Sequence, residues 1–350
     1  MKRVDVCLAT TSLLLLSFGA LPSASNLVTD DAALGLPPLK APPHNTMTAE
    51  KISLGRKLFL DPRLSKDGQF ACSTCHVPEQ GFALNSSATA MGLQGKALTR
   101  NAPTLLNVAY VTELFLDGRE PDLESQVWGP LLNPREMAND SRDDVVVRIA
   151  SLPDYAGLFE NAFDGSGVSV KTLPLALASF TRSLIAGNSR FDRWMYGHDP
   201  AALSTEEQAG FRVFNWLRCP ACHTFQKTFA TFSDGAFHNN GAGYRPDESS
   251  SRDPGRFVIT HQETDRFAFR TPSLRNVALT APYMHDGSLA TLRDVVDFYL
   301  DQARRDPLVD ALVPQQTVIA SERRALIVFL RALTSENISS IVNKVRAQQR

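Results

Sequence analysis

Two short stretches of the sequence carry the same arrangement of cysteine and histidine. In "ACSTCHVPEQGF" and in "LRCPACHTFQ", two thiols separated by two residues are followed at once by an imidazole. This Cys-x-x-Cys-His pattern is typical of c-type haem attachment, because the thiols add to the haem vinyl groups and the histidine binds the iron. The residues are Cys72, Cys75 and His76 in the first motif and Cys219, Cys222 and His223 in the second.

Two other kinds of site are less well supported. A zinc site needs four N, S or O ligands, and paired Cys-x-x-Cys units form one without a histidine directly after each. A zinc site shared by the two motifs therefore stays as an alternative. A redox dithiol of the thioredoxin type needs a strand-helix-strand context, which neither motif has.

The start of the chain predicts export. Lys2 and Arg3 precede an apolar run over 8–21, and Ser23 to Ser25 provide a small-residue exit. This is the pattern of a secretory signal peptide, predicted here over residues 1–25. The fifth cysteine, Cys7, lies inside it, so both remaining pairs are committed to haem and none is left for a structural disulfide. We expect a periplasmic protein that is not held at the membrane once the signal is cleaved.

Composition is that of an ordinary globular protein. The 350 residues allow two domains, and 43% of them are hydrophobic. A formal net charge of −1 gives no reason to expect nucleic acid or an anionic membrane surface as a partner.

A helix is predicted before each motif. Thr48 is a plausible N-cap for the first, whose inner face would carry Leu54, Leu58 and Phe59. Ser204 and Glu207 form a capping box for the second, which would bury Phe211, Phe214 and Leu217.

The two predicted helices share Gly-x-x-[Leu/Val]-Phe, which indicates a duplicated unit. Helix followed by haem motif resembles the cytochrome c fold. We therefore predict a mainly α protein with two cytochrome c-like domains, each holding one covalently bound c-type haem. The expected division is a signal peptide at 1–25, a Pro-rich segment at 26–47, an N-terminal cytochrome c-like domain at 48–195 and a C-terminal cytochrome c-like domain at 196–345.

Histidines are scarce around the first motif. None lies between His76 and His198 to supply a second axial ligand locally. An electron carrier fills both axial positions of each iron, whereas an enzyme leaves one open. The first haem is therefore predicted to be five-coordinate.

Taken together, these motifs resemble the bacterial dihaem cytochrome c peroxidases and their MauG-like relatives. The resemblance covers nearly all of the chain after residue 25, through "LGRKLFLDPRLS", both haem motifs, "RNAPTLLNVAY", "FLDGREPDLESQVWGPLLNPREM", "RTPSLRNVALTAPYMHDGSLATLRDVVDFY" and "ERRALIVFLRALT". It is specific, because separate motifs occur in the right order.

The resemblance implies a catalytic pair at the first haem. A Gln and a Glu ten positions apart flank its open face in the family, and Gln126 and Glu136 match them. A carboxylate there can move a proton between the two oxygens of a bound peroxide. The alternative is structural: in "NPREM", Asn133 would cap a helix with Pro134 at its first position and Glu136 at its third.

The resemblance also implies a sixth ligand for the second haem. Tyr299 lies on the apolar stripe of a predicted helix that starts at Thr291 and Asp294. Its position after the Pro-Tyr-x-His-Asp-Gly motif is where many members carry methionine and MauG-like members carry a tyrosine ligand. A tyrosinate favours oxidised iron, while a thioether favours Fe(II). Met284 is the rival ligand.

Two departures from the family pattern bear on function. "ALNSSATAMGLQGK" lacks the displaceable distal histidine that many members carry after the first motif, so the first haem should be open without prior reduction. Leu116 stands where the family has a tryptophan between the haems, and Phe115 is too hard to oxidise to replace it.

The resemblance further implies one Ca²⁺ between the haems, bound by the Asn101 side chain and the carbonyls of Thr280 and Pro282. Oxygen ligands suit a hard cation. Arg270 and Arg275 would neutralise haem propionates.

Three functions are carried forward. The first is a periplasmic peroxidase that reduces hydrogen peroxide to water at the N-terminal haem, with electrons arriving through the C-terminal haem from a small cytochrome c or cupredoxin. The second is a MauG-like enzyme that uses high-valent iron to oxidise residues of a partner protein. The third is a non-enzymatic dihaem electron carrier.

Overall fold

The computed structural model describes residues 30–244 and 252–347. The predicted signal peptide lies outside these residues. Within them, the helices in chain order are α1 (Asp30–Ala33), α2 (Ala49–Leu60), α3 (Cys72–Cys75), α4 (Leu123–Gln126), α5 (Trp128–Leu132), α6 (Arg142–Ala150), α7 (Leu158–Ala162), α8 (Thr172–Arg182), α9 (Arg190–Met195), α10 (Thr205–Trp216), α11 (Phe257–Thr260), α12 (Leu292–Asp301), α13 (Ala320–Arg331) and α14 (Ile338–Arg346). Two short antiparallel strands, β1 (Phe237–His238) and β2 (Phe269–Arg270), form a small sheet, in which Phe237 pairs with Arg270. The predicted mainly α fold is confirmed.

The helices before the two motifs start as predicted. The Thr48 hydroxyl accepts a hydrogen bond from the Lys51 amide, and Ser204 and Glu207 form a reciprocal capping box. Thr291 and Asp294 do the same at the start of α12. Leu54, Leu58 and Phe59 are buried in α2, as are Phe214 and Leu217 around the end of α10.

Two hydrophobic clusters divide most of the core. The first is built largely from chain between Leu54 and Ala186, and the second from chain between Phe191 and Leu333. The last helix, α14, departs from this order, because Val345 is buried in the first cluster with Ile338 and Ile341 against it. The predicted domain boundaries stay a prediction.

The duplicated unit is visible in the packing. α2 crosses α8 at Gly55, where an added Cβ would lie 2.0 Å from the Ala176 carbonyl oxygen. α10 crosses α13 at Gly210, where an added Cβ would lie 2.0 Å from the Ala325 carbonyl oxygen. Only glycine permits such an approach of two helix backbones. Each crossing fixes the helix that leads into one Cys-x-x-Cys-His motif.

Charged side chains join the two halves. The Arg100 guanidinium bridges Asp117 at 2.6 Å and Asp253 at 2.7 Å, and Arg256 reaches Glu113 at 3.0 Å. Loops of both halves are thereby held against each other. None of the helices in the described chain is long and apolar enough to cross a membrane.

Candidate haem and peroxide sites

The first motif folds as one turn of helix. Cys72 and Cys75 begin and end α3, and His76 caps it. The His76 Nδ1 atom lies 3.2 Å from the carbonyl oxygen of Phe82, which has a left-handed backbone with φ of 56°. Because Nδ1 is held by this carbonyl, Nε2 is the nitrogen left for a metal.

The second motif repeats this geometry. His223 Nδ1 lies 3.0 Å from the carbonyl oxygen of Phe232, which also has a left-handed backbone. Burial lowers the pKa of both motif histidines, which favours the neutral ring that binds metals. The ring orientation that a proximal ligand needs is therefore built into both halves.

The cysteines suit thioether attachment. Cys72, Cys75, Cys219 and Cys222 are all free thiols. Burial raises the pKa of Cys72 and of Cys219 to about 12, so these are protonated thiols and not reactive thiolates. Two thiols beside one correctly oriented imidazole in each half form a donor set that fits a c-type haem.

The two motifs do not share one metal site. Cys72 packs against the first hydrophobic cluster and Cys219 against the second. Among the described residues, the group with ligand-like spacing is Cys222, Asp234 and His238, which includes nothing from the first motif. The zinc site shared by both motifs is wrong.

A cavity of about 160 Å³ lies between the halves, next to the second motif. Among the residues the structure describes, one of its lining groups lacks a hydrogen-bond partner, and another bonds only to backbone carbonyls at 3.4 and 3.5 Å. The buried Tyr110 hydroxyl has no hydrogen-bond partner, and Arg270 has no carboxylate within ion-pair distance. Burial lowers the pKa of Arg270. A carboxylate such as a haem propionate would satisfy both groups.

Arg275 lines the same cavity and is bonded mainly to protein groups. It is buried, and its guanidinium contacts both carboxylate oxygens of Asp192, at 2.7 and 2.8 Å, as well as the carbonyls of Ala230 and Gly35. These bonds tie the Gly35 segment to the second cluster. The assignment of Arg275 to a propionate stays a prediction.

Glu136 lies close enough to the first motif for its charge to raise the pKa of Cys75 and of Cys72. Burial raises the pKa of Glu136 itself, against the opposing effects of the Asn133 hydrogen bond and the Arg119 charge. Its Oε1 accepts that bond from Asn133 Nδ2 at 2.7 Å. A carboxyl group with a raised pKa thus lies near the first haem attachment site.

The alternative in which Glu136 caps a helix is wrong. No helix starts at Asn133, which instead ends α5, and residues 134–137 form turns. The Asn133 Oδ1 atom accepts from the Arg135 amide in an Asx-turn, which leaves its Nδ2 free to bind Glu136. The carboxylate of Glu136 is therefore held by a hydrogen bond from the turn and is not used to cap a helix.

Because the chain contains a duplicated unit, equivalent positions of the two halves can be compared. Leu114 bridges Glu120 around Asp117 and Gly118, and Tyr283 bridges Leu289 around Asp286 and Gly287 in the same register. Counted from these aspartates, Tyr299 corresponds to Pro130 in the first half, four residues after Gln126. Proline has no side-chain oxygen, nitrogen or sulfur, so this position of the first half carries no potential ligand atom.

Tyr299 lies on the side of α12 that faces the second motif, since the charges of Cys219 and Cys222 act on it. Burial raises its pKa to about 12. Its hydroxyl accepts a hydrogen bond from Asn240 Nδ2 at 2.9 Å, and the same nitrogen lies 3.6 Å from Met284 Sδ. Both rival ligands therefore lie beside one amide.

The five histidines outside the motifs are either exposed or in contact with other side chains. His44, His198 and His261 are exposed. His238 is held between Asp234 and Asp310, and His285 stacks on Phe269 at 4.1 Å. In the loop after the first motif, Leu98 bonds to Ala90, and an added Cβ on Gly92 would lie 1.6 Å from the Arg135 carbonyl oxygen. This histidine-free loop is thus packed directly beside Glu136.

The residues predicted to bind calcium lie on adjoining segments. The Asn101 amide donates to the His285 carbonyl at 2.7 Å, and its Nδ2 donates to the Ala88 carbonyl, which leaves Oδ1 available. Pro282 forms a cis peptide with Ala281, and Thr280 directly precedes this pair. The carbonyl of Leu116 accepts from the Arg270 amide at 2.8 Å, so Leu116 lies at the junction of the two halves.

The sequence does not single out Tyr110 or Asn240. It indicates Asn133 only as a helix cap, and Asn240 lies in a loop whose composition indicates only irregular structure. The paired left-handed residues Phe82 and Phe232 were also missed. A comparison of the two halves would have found them, because each follows its motif histidine within nine residues.

Known proteins share both the sequence and the architecture. A sequence model of the family "Di-haem cytochrome c peroxidase" matches residues 49–200. Methylamine utilization protein MauG of Methylorubrum extorquens is 37% identical over 84% of this chain and 81% of its own length. Cytochrome c551 peroxidase of Nitrosomonas europaea is 36% identical over 82% of this chain and 83% of its own length.

Solved structures agree. A MauG-like protein associated with microbial copper homeostasis superposes with a TM-score of 0.77 and 32% identity, over 87% of this chain and 95% of that one. The dihaem peroxidase BthA of Burkholderia thailandensis gives 0.72 and 27%, over 84% and 88%. The chain is therefore an oxidoreductase that belongs to the di-haem cytochrome c peroxidase and MauG family.

Proposed function

We propose that this protein is a periplasmic dihaem peroxidase that reduces hydrogen peroxide to water at its N-terminal haem. The observation that carries the proposal is the contrast between the halves: Glu136 is half-buried near the first motif, while Pro130 stands where the second half has Tyr299. On this proposal, the first site would have an acid-base group and an open sixth position, and the second would have Tyr299 as a sixth ligand.

The residues that would hold the cofactors are the two Cys-x-x-Cys-His sets, with Tyr299 as the further ligand in the C-terminal half. When bound, the haems supply the iron at which peroxide is reduced and through which electrons pass. Tyr110 and Arg270 would pair with a propionate. Asn101, Thr280 and Pro282 would bind one Ca²⁺ between the halves.

Glu136 would do the proton transfer. As a carboxylate it takes the proton from one oxygen of hydrogen peroxide and delivers it to the other, so that water can leave. Asn133 holds the carboxylate in place, and the Gln126 amide orients the peroxide. Two electrons and two protons then complete the reduction of one peroxide to two waters, with the electrons supplied by a small cytochrome c or cupredoxin.

A MauG-like oxidation of a partner protein is the second candidate. Tyr299 favours it, because an anionic oxygen ligand stabilises oxidised iron and would let the second haem store oxidising equivalents. Leu116 counts against it, because an aliphatic side chain cannot be oxidised itself and so cannot carry an oxidising equivalent toward a partner protein. We therefore place the peroxidase first.

The test is stopped-flow absorbance of the oxidised, haem-loaded protein mixed with one equivalent of hydrogen peroxide. We expect a rapid change of the Soret band without prior reduction, and a rate at least ~100-fold lower in Glu136→Gln, since general acid-base catalysis contributes about 10²–10⁴-fold. Glu50→Gln, at an exposed position in α2, is the matched control and should react like the parent.

Three results would argue against the proposal. A Glu136→Gln protein that reacts at the parent rate would remove the assigned base. A parent that reacts only after one-electron reduction would mean that a ligand blocks the first haem. Two low-spin, six-coordinate haems with no peroxide reaction would indicate an electron carrier.

A further inference from the structure

The side chain of Asn240 lies between the two rival ligands of the C-terminal haem. Its Nδ2 donates to the Tyr299 hydroxyl at 2.9 Å and lies 3.6 Å from Met284 Sδ. Its Oδ1 accepts from the Ala242 amide at 3.0 Å. That second bond fixes which end of the amide faces the ligands, so a donor and not an acceptor points at them.

The loop around Asn240 is tied to neighbouring segments by several contacts. Asn239 Nδ2 donates to Asp306 and to the Leu308 carbonyl, both at 2.9 Å, and Asp306 is itself paired with the buried Arg252 at 2.7 Å. Gly241 has a φ of 81° and packs so closely on Ala303 that an added Cβ would lie 2.3 Å from its carbonyl oxygen. The amide donor therefore has little freedom to follow either ligand.

A fixed N–H donor does not treat the two ligands alike. A phenolate oxygen is a strong acceptor with lone pairs to spare, so it can bind iron and still accept the Asn240 bond. A thioether sulfur is a weak acceptor and gains little. Displacing Tyr299 would also leave a half-buried donor without a good partner, at a cost in free energy.

We propose that Asn240 is a positioning residue that selects Tyr299 over Met284 as the sixth ligand of the C-terminal haem. The inference rests on the proposed function, which assigns Tyr299 as that ligand. Asn240 acts through the hydrogen bond and does not touch the iron.

Ligand spectra of the full-length, haem-loaded protein test this directly. Asn240→Asp keeps the size of the side chain but turns a carboxylate toward the phenolate, which should expel Tyr299 and admit Met284. We expect the near-infrared charge-transfer band of a thioether-ligated ferric haem to appear, together with a rise in the reduction potential of that haem. The band should be lost again in Asn240→Asp combined with Met284→Leu.

Asn240→Ala provides a second variant if the aspartate protein fails to load haem. It removes the donor without adding charge and should give a mixture of the two ligand sets by electron paramagnetic resonance. Asn215→Asp is the matched control, because Asn215 is exposed on α10 just before the second motif, and its ligand spectrum should equal that of the parent.

Two outcomes would overturn the inference. One is a parent-like ligand spectrum in both Asn240 variants. The other is a thioether band in the parent itself, which would show that Met284 already binds and would also remove Tyr299 from the proposed function. Failure of the Glu136 peroxide test, by contrast, concerns the first haem and leaves these ligand spectra unaffected.

Discussion

At the scale of single residues, Glu136 and Asn133 form the pair on which the proposed chemistry depends. Burial raises the pKa of Glu136, while the hydrogen bond from Asn133 Nδ2 stabilises its charged form and opposes that rise. A base must be ionised to take a proton, so the reaction with peroxide should be lost as pH falls through a pKa above that of an exposed glutamate.

Asn133→Ala should move this acid limb to still higher pH. Removing the donor withdraws stabilisation from the carboxylate, so the pKa of Glu136 rises further and a higher pH is needed to ionise it. The measurement is the second-order rate constant for the Soret change as a function of pH. An acid limb at the same pH in Asn133→Ala and in the parent would contradict the assignment of Glu136 as the titrating group.

The sequence predicts some of the site residues and not others. The types and spacing of the two Cys-x-x-Cys-His motifs identify their chemistry without any structure. The contact between Asn240 and Tyr299 joins residues 59 positions apart, so no local sequence pattern predicts it. "NPREM" fits a helix start on propensity alone, yet α5 has just ended there, and the same asparagine forms an Asx-turn instead.

At the scale of elements, local interactions explain what was predicted. The Ser204–Glu207 box and the Thr291–Asp294 box each close within four residues, so the sequence contains all their partners. Strands β1 and β2 were not foreseen, because each has two residues and their pairing depends on how the long loop folds back. The shared Gly-x-x-[Leu/Val]-Phe did indicate a repeat, although not its cause.

That cause is the helix crossing, and Gly210 provides the test of it. In Gly210→Ala the added Cβ would meet the Ala325 carbonyl oxygen at 2.0 Å and the Phe329 Cβ at 2.7 Å. The helices must separate, which should lower the free energy of unfolding by about 1–3 kcal/mol, as overpacked cores do. Chemical denaturation of the haem-loaded protein, followed by far-UV circular dichroism, measures this.

Gly167→Ala is the matched control. Its added Cβ would meet only the end of the flexible Glu160 side chain, at 3.1 Å, so its free energy of unfolding should stay within about 1 kcal/mol of the parent. Equal effects of the two substitutions would mean that the crossing at Gly210 is not a tight contact.

At the scale of the whole molecule, both ends of the described chain cross to the other half. Near the N-terminal end, the Gly35 carbonyl accepts from the Ala230 amide and from Arg275. At the C-terminal end, α14 packs on the first cluster, where Arg346 bonds to Glu79 at 2.8 Å, three residues after His76. The two haem-binding halves are therefore held together by their chain ends as well as by the Arg100 and Arg256 ion pairs.

Val345→Asp should release α14 and loosen the first half selectively. Val345 is 3% exposed, and a carboxylate there would be buried among apolar side chains, at a cost of about 2–4 kcal/mol in the free energy of unfolding. Because α14 contacts the segment that follows His76, the absorbance of the first haem should report unfolding at lower denaturant than in the parent. Ser340→Asp, on the exposed face of the same helix, should leave the transition unchanged. If Val345→Asp shifted the ligand spectrum of the second haem while sparing the first, α14 would not be the element that stabilises the first half.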